Sequence, residues 1–164
     1  MIPDQPSPFR VASTHGPHGG DGCPLLPADG WPARRLALPI LVVENEALIA
    51  LDLARQIEDD GGAVIGPAES AAAALALLGA TAEIGGAVLD VFLDRGTAFP
   101  VARALARRRI PFVFYTAYDD VRLPPEFVAA PMLDKTVGWS EIRRALFPES
   151  RSLRAEAAAL LPAL

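Results

Sequence analysis

Four apolar stretches of this chain run out into polar residues: Glu44-Asn45 after Ile40-Leu41-Val42-Val43, Asp90 after Gly86-Ala87-Val88-Leu89, Thr116 after Pro111-Phe112-Val113-Phe114-Tyr115, and Lys135 after Pro131-Met132-Leu133-Asp134. A carboxylate at the end of an apolar strand is partly desolvated and can attack phosphorus to give an acyl phosphate. That attack meets charge repulsion unless cations offset it. Glu44, Asn45 and Asp90 offer hard oxygen ligands of the kind Mg²⁺ takes, one or two carboxylates with several waters retained, and the backbone carbonyl of Phe92 can add another. Lys135 suits a phosphoryl oxygen as an ionised donor, and the Thr116 hydroxyl can donate to a second oxygen. Lys135 is the single lysine among fifteen basic residues. Arginine presents a planar fork and lysine a compact point charge, so the two do not substitute where one cation must reach one oxyanion. Each residue alone has an ordinary reading: an Asp after a strand serves in turns, and Asn45 can cap a helix. Four strand ends in this order point instead to one shared phosphoryl site.

The elements that would position these residues follow from hydrophobic periodicity. Ile40–Val43 is a continuous apolar, β-branched run, the pattern of a strand buried on both faces. The spacing predicts a helix over Glu46–Asp59, with Ile49, Leu53 and Ile57 on one face and Gly61-Gly62 ending it. A second strand is expected over 63–66 and a helix over Ser70–Leu78, with Glu69 and Ser70 as capping candidates. The third strand covers 86–90, a helix Thr97–Arg109, the fourth strand 111–115 and the fifth 131–134, and a last helix runs over Trp139–Leu146. A helix between the fourth and fifth strands would be broken by Pro124-Pro125, which sets it apart from the other helices expected here. Strands alternating with amphipathic helices imply an α/β fold, a doubly wound five-stranded parallel sheet. In such sheets ligands bind at the carboxyl ends of the strands near the switch in strand order, which is the rim that carries Glu44, Asn45, Asp90, Thr116 and Lys135.

Residues 1–38 differ. They hold seven of the sixteen prolines and both histidines, with no periodic apolar pattern, and read as a disordered Pro/Gly-rich tail. His15 and His18 lack companion ligands, and the lone Cys23 has no partner for an internal disulfide. Residues 39–147 form the expected domain, and 148–164 a short extension with a helical stretch near 153–161. A net charge of −5 argues against nucleic-acid binding. No apolar run reaches the roughly 18 residues of a membrane span, and the start lacks the pattern of a signal peptide, so a cytoplasmic protein is expected.

The motifs resemble one family. Ile40–Glu46, reading ILVVENE, is similar to the acidic first loop of response-regulator receiver domains; Ala87–Asp90 resembles their phosphoacceptor strand, Tyr115-Thr116-Ala117 their fourth-strand Thr-Ala, and Lys135 their fifth-strand lysine. The likeness spans about residues 39–147. Pro111–Tyr118 further resembles the PFxFATGY segment of single-domain receivers linked to HWE-type histidine kinases. The resemblance implies a flavodoxin-like (βα)5 fold with strand order 2-1-3-4-5. It implies a single-domain response regulator of a two-component phosphorelay, with Asp90 accepting the phosphoryl group, Thr116 and Lys135 reading its oxygens, and Mg²⁺ held by Glu44, Asn45, Asp90 and the Phe92 carbonyl. The implied partner is a sensor histidine kinase or a phosphotransfer protein, with the chain acting through protein contacts as a monomer or weak homodimer and catalysing at most its own phosphorylation and dephosphorylation.

The chain departs from the family pattern at defined points. Asn45 stands where an acid usually ligates the metal, Met132 where many receivers place a rotamer-switching aromatic, and Thr136 where a proline usually follows the lysine, so no cis bond is expected there. Tyr115 and Ala117 replace the Ala and Gly of the subfamily segment, and Asp94-Arg95 the proline after the acceptor loop. Asn45 motivates a competing reading, a phosphorylation-independent binding module. A hydrolase of the haloacid dehalogenase type would need two aspartates two apart after the first strand, which this sequence lacks.

Overall fold

The computed structural model describes residue 35 and residues 37–118 and 120–148. The tail expected over 1–38 lies largely outside the described residues, as does nearly all of the 148–164 extension. The chain folds as β1 (Ile40–Val43), α1 (Ala47–Asp59), β2 (Val64–Ala68), α2 (Ala71–Ala80), β3 (Gly86–Leu89), a two-strand hairpin β4 (Phe92–Leu93) and β5 (Gly96–Thr97), α3 (Phe99–Arg107), β6 (Phe112–Thr116), a 3-10 turn (Pro125–Phe127), β7 (Met132–Asp134) and α4 (Trp139–Leu146). Five strands form a parallel sheet in the order β2-β1-β3-β6-β7. Counting those five strands alone, this is the expected 2-1-3-4-5 arrangement.

Period-two alternation divides the core between the two faces of the sheet. On one face Leu41, Val43, Ala87, Leu89, Phe112 and Phe114 pack against Ala74 and Leu78 of α2 and Val101, Ala102 and Leu105 of α3. On the other, Ile40, Val42, Val88, Val113 and Tyr115 meet Leu53 and Ile57 of α1 and Trp139, Ile142 and Leu146 of α4. The central strands β1, β3 and β6 are buried along their whole length, which is why they read as unbroken apolar runs. Gln56 of α1 and its C-cap residue Asp60 fasten α4: Gln56 Oε1 accepts the Trp139 backbone N–H at 2.9 Å, and Asp60 Oδ2 the indole N–H at 3.0 Å.

The prolines decide what lies between β6 and β7. Pro124-Pro125 limits the described segment to a single 3-10 turn, and its Phe127 is buried in the core on the α2–α3 face of the sheet. Phe127 is buried edge-on against Phe112 and Phe114, with centroids 5.8 and 5.7 Å away, a geometry worth about 0.5–1.5 kcal/mol per pair beyond area burial.

Several boundaries shift from the sequence reading. The helix expected from Thr97 starts at Phe99, because Phe92-Leu93 and Gly96-Thr97 pair as an antiparallel hairpin closed by Asp94-Arg95. The second strand runs to Ala68 rather than Gly66. α1 begins at Ala47; Glu46 holds its N-cap position without a side-chain cap, and Asn45 does not cap it. Ser70 does cap α2, its Oγ accepting from Ala73 N–H at 3.2 Å. Among the described residues the cis peptide bond is Gly66–Pro67, so the Lys135–Thr136 bond is trans.

Gly66 marks the irregular register between β1 and β2. Its φ is +99°, and a Cβ there would lie 2.8 Å from Ala68 N and 2.9 Å from Val42 O, both backbone atoms with little room to yield. Gly66→Ala is therefore expected to lower stability by about 2–3 kcal/mol, read as a drop in the denaturation midpoint at unchanged slope; an unchanged midpoint would refute this account of the strand.

Candidate functional site

Parallel register gathers the polar strand ends. Val43 pairs with Leu89, Leu89 with Phe114 and Thr116 with Asp134, so the residues just beyond these pairs emerge on one rim. Backbone bonds extend the register one step further: Asp90 N–H donates to Val43 O at 2.8 Å, and Lys135 N–H to Thr116 O at 3.1 Å. Glu44, Asp90 and Thr116 are the buried polar residues among those described.

The Lys135 ammonium lies among three carboxylates. Nζ is 2.8 Å from Glu44 Oε2 and 3.0 Å from its Oε1, 2.9 Å from Asp90 Oδ2 and 3.0 Å from Glu46 Oε1. The Lys135 side chain is only 7% exposed. Although burial opposes its charge, hydrogen bonds to Glu44, Asp90 and Glu46 raise its pKa above the ordinary lysine value. Burial pushes the Glu44 carboxyl upward, against the lowering effect of Lys135 and of the Glu46 backbone N–H, which donates to Oε1 at 2.9 Å.

The loop carrying Lys135 is pinned from both sides. The Tyr115 hydroxyl, pointing to the opposite face of β6 from Thr116, is shared between the carbonyls of Lys135 at 2.9 Å and Val137 at 3.0 Å. Asp134 Oδ1 accepts the Thr136 N–H at 2.7 Å, an Asx turn. Burial is the main cause that raises the Tyr115 pKa, so the hydroxyl stays protonated and able to donate. A cis-proline clamp is absent here, and a tyrosine and an aspartate hold the loop instead.

Of the six residues singled out in the sequence, Glu44, Asp90 and Lys135 meet directly. Thr116 joins them through its backbone bond to Lys135, and its Oγ1 accepts the Tyr118 N–H at 3.4 Å. Phe92 donates its N–H to Asp90 Oδ1 at 3.3 Å. The Asn45 amide turns to the hairpin, where Nδ2 donates to Asp94 Oδ1 at 2.7 Å. Glu46, Asp94 and Tyr115 are the participants that the sequence reading left out. In the sequence Glu46 reads as a helix start and Asp94 as a loop substitution, while Tyr115 alternates with Thr116 and reads as core. The acid-amide-acid run Glu44-Asn45-Glu46 was the available signal for the first.

The donor set suits a hard divalent cation. Glu44, Glu46 and Asp90 each offer an oxygen, and these oxygens lie within 4.8 Å of one another. Among the described side chains, Asn45 Oδ1 is a buried oxygen that accepts no hydrogen bond, whereas Glu44 Oε2 meets only the Lys135 ammonium, at 2.8 Å; both are on residues of the expected ligand set. A buried acceptor left without a donor is costly, and a cation at the rim would engage the Asn45 oxygen.

No protein-family model matches the chain. It is 30% identical over 132 residues to the phyllosphere-induced regulator PhyR of Methylorubrum extorquens, a match covering 76% of this chain and 49% of PhyR, so the chain spans about half the length of that curated relative. The crystal structure of a response regulator receiver protein from Sinorhizobium medicae is similar at 25% identity, with a TM-score of 0.55 over 67% of this chain and 91% of that one. The solution structure of SdrG from Sphingomonas melonis is similar at 38% identity and a TM-score of 0.59, covering 68% of this chain and 97% of SdrG; the BeF3-activated conformation of SdrG matches at 36% identity and a TM-score of 0.54, covering 76% of this chain and 98% of that one. Likeness at that identity across nearly all of SdrG, on the same sheet order, means that this chain belongs to the response-regulator receiver family.

Proposed function

We propose that this receiver accepts a phosphoryl group on Asp90 from a phosphohistidine, on a sensor histidine kinase of the HWE type or on a phosphotransfer protein, and signals through protein contacts. One Asp90 oxygen forms the new O–P bond as the donor's N–P bond breaks, and the departing imidazole takes up a proton. The observation that carries this reading is the Lys135 ammonium 2.9 Å from Asp90 Oδ2 on a buried, acid-lined rim. Lys135 stands ready to meet the negative charge that the phosphoryl group brings, and the Thr116 hydroxyl donates to a neighbouring oxygen. Mg²⁺ is the proposed cofactor, which Glu44, Asn45, Asp90 and the Phe92 carbonyl would hold; when bound it would supply positive charge that offsets the repulsion between the carboxylate and the incoming phosphoryl group. The chain catalyses no other reaction in this reading, acts as a monomer or weak homodimer, and works in the cytoplasm.

The exit route of the signal starts at Thr116. Its Oγ1 accepts the Tyr118 N–H, and the Tyr118 ring stands edge-on to Phe92 with centroids 5.2 Å apart. Both rings are exposed, Tyr118 at 62% and Phe92 at 43%. Drawing the hydroxyl toward Asp90 would release the Tyr118 backbone and re-present this aromatic pair to a partner, a bias on a two-state element. Met132 is exposed on β7 and takes no aromatic switching role.

Two predictions follow from the chemistry at Asp90. Incubation with Mg²⁺ and a small phosphodonor should add one phosphoryl group by intact mass, and Asp90→Asn should abolish the gain; no gain in the wild type, even with a cognate kinase, would sink the reading. Lys135→Ala should slow that phosphorylation and also lower stability at pH 7 by roughly 1–3 kcal/mol, the cost of leaving a buried polar group without its partner. The Glu44 carboxyl, already raised by burial in the wild type, takes a proton at higher pH than an ordinary carboxyl. The stability deficit of Lys135→Ala should therefore shrink as pH falls from 7 toward 5, and a deficit constant over that range would contradict the assigned electrostatics.

A further inference from the structure

Glu46 is placed where a surface helix-start residue would be, yet its carboxylate turns back to Lys135 Nζ at 3.0 Å and reaches the oxygens of Glu44 and Asp90 within the same 4.8 Å cluster. Its side chain is 60% exposed and makes no cap bond to α1, so among the described residues the contact that holds it at the rim is the ion pair. Asn45, the neighbouring residue, brings a neutral amide whose nitrogen is committed to Asp94. Three carboxylates surround one ammonium, which leaves two negative charges unmatched at a buried rim. A divalent cation matches that excess, and the lysine ammonium marks where a cation is favoured.

We propose that Glu46 is an anionic ligand of the divalent-cation site, supplying the charge that Asn45 lacks, and that it exchanges Lys135 for the metal when the metal binds. This rests on the reading that the rim holds Mg²⁺. Asn45 then contributes only its orphaned carbonyl oxygen, and the first loop works as an acid-amide-acid triplet instead of the usual acidic pair. Metal loading also releases Lys135 from one of its three carboxylates, leaving it freer to follow charge arriving on Asp90. The order is built in: the cation that screens the attack is the same one that loosens the lysine.

The test is a Mn²⁺ titration of the full chain, followed by the loss of the free-ion electron paramagnetic resonance signal. Four proteins are compared: wild type, Glu46→Gln, Asp90→Asn and Glu69→Gln. Glu69 is an exposed acid beside the same rim, in the groove shared by Glu44 and Asn45 but outside the carboxylate cluster, so it reports the general field of a nearby charge. Thermal melts by circular dichroism establish that each variant is folded. Glu46→Gln should weaken Mn²⁺ about tenfold or more, while Glu69→Gln changes it by less than about twofold. Equal losses in the two variants would reduce Glu46 to part of the background field and overturn the proposal. Unchanged affinity in Glu46→Gln, with affinity lost in Asp90→Asn, would overturn it while leaving the Asp90 reading intact. Absence of Mn²⁺ binding by the wild type would overturn both.

Discussion

The rim is organised by one buried electrostatic constraint: a single ammonium must serve Glu44, Asp90 and Glu46 at once. Ions this close interact strongly wherever water is excluded, and removing one partner of a buried pair exposes the desolvation cost of the other. Every backbone device around the site keeps that arrangement in register. Asp90 is fixed by its N–H on Val43, Lys135 by its N–H on Thr116, and the loop beyond Lys135 by Tyr115 and Asp134. The sheet order supplies the rest, since β1 and β3 are adjacent and β6 and β7 complete the same edge of the crevice.

An arrangement so dependent on balanced charge is also poised to respond to charge. Three carboxylates against one lysine leave the rim underneutralised, which favours a divalent cation; in the proposed reaction, a phosphoryl group on Asp90 then adds negative charge that Lys135 and Thr116 can follow. The surrounding elements differ in how much they would resist. β1, β3 and β6 are buried along their length and packed on both faces, whereas the β6–β7 connection is a 3-10 turn anchored by Phe127, with Tyr118 and Val128 exposed on either side of it. Rearrangement is cheapest where the prolines have already excluded a helix.

Much of this was legible in the sequence because the signals are local. The continuous apolar runs Ile40–Val43 and Gly86–Leu89 announce strands covered on both sides, and a polar residue ending each run announces the rim. Pro124-Pro125 put a helix after the fourth strand in doubt, and a 3-10 turn over Pro125–Phe127 stands there. What escaped depended on partners far along the chain. Glu46 reads as the first residue of a helix until Lys135, 89 residues away, is seen beside it. Tyr115 reads as core because alternation places it inward, and only the folded loop reveals carbonyls within reach of its hydroxyl. The β4–β5 hairpin went unrecognised because two-residue strands carry too little periodicity, and its last residue, Thr97, reads as a helix start because it precedes a strong helical pattern. Asn45 could be singled out by its position, but its turn toward Asp94 could not.

Because the chain contains one lysine, isotope-labelled lysine gives a single side-chain resonance that reports on the central claim without ambiguity. The account predicts that adding a small phosphodonor to the Mg²⁺-loaded protein moves the Lys135 resonance beyond its position with Mg²⁺ alone, as the ammonium shifts to the phosphoryl group, and that Asp90→Asn abolishes this second movement. A resonance that stays in place while Asp90 gains the phosphoryl mass would contradict it.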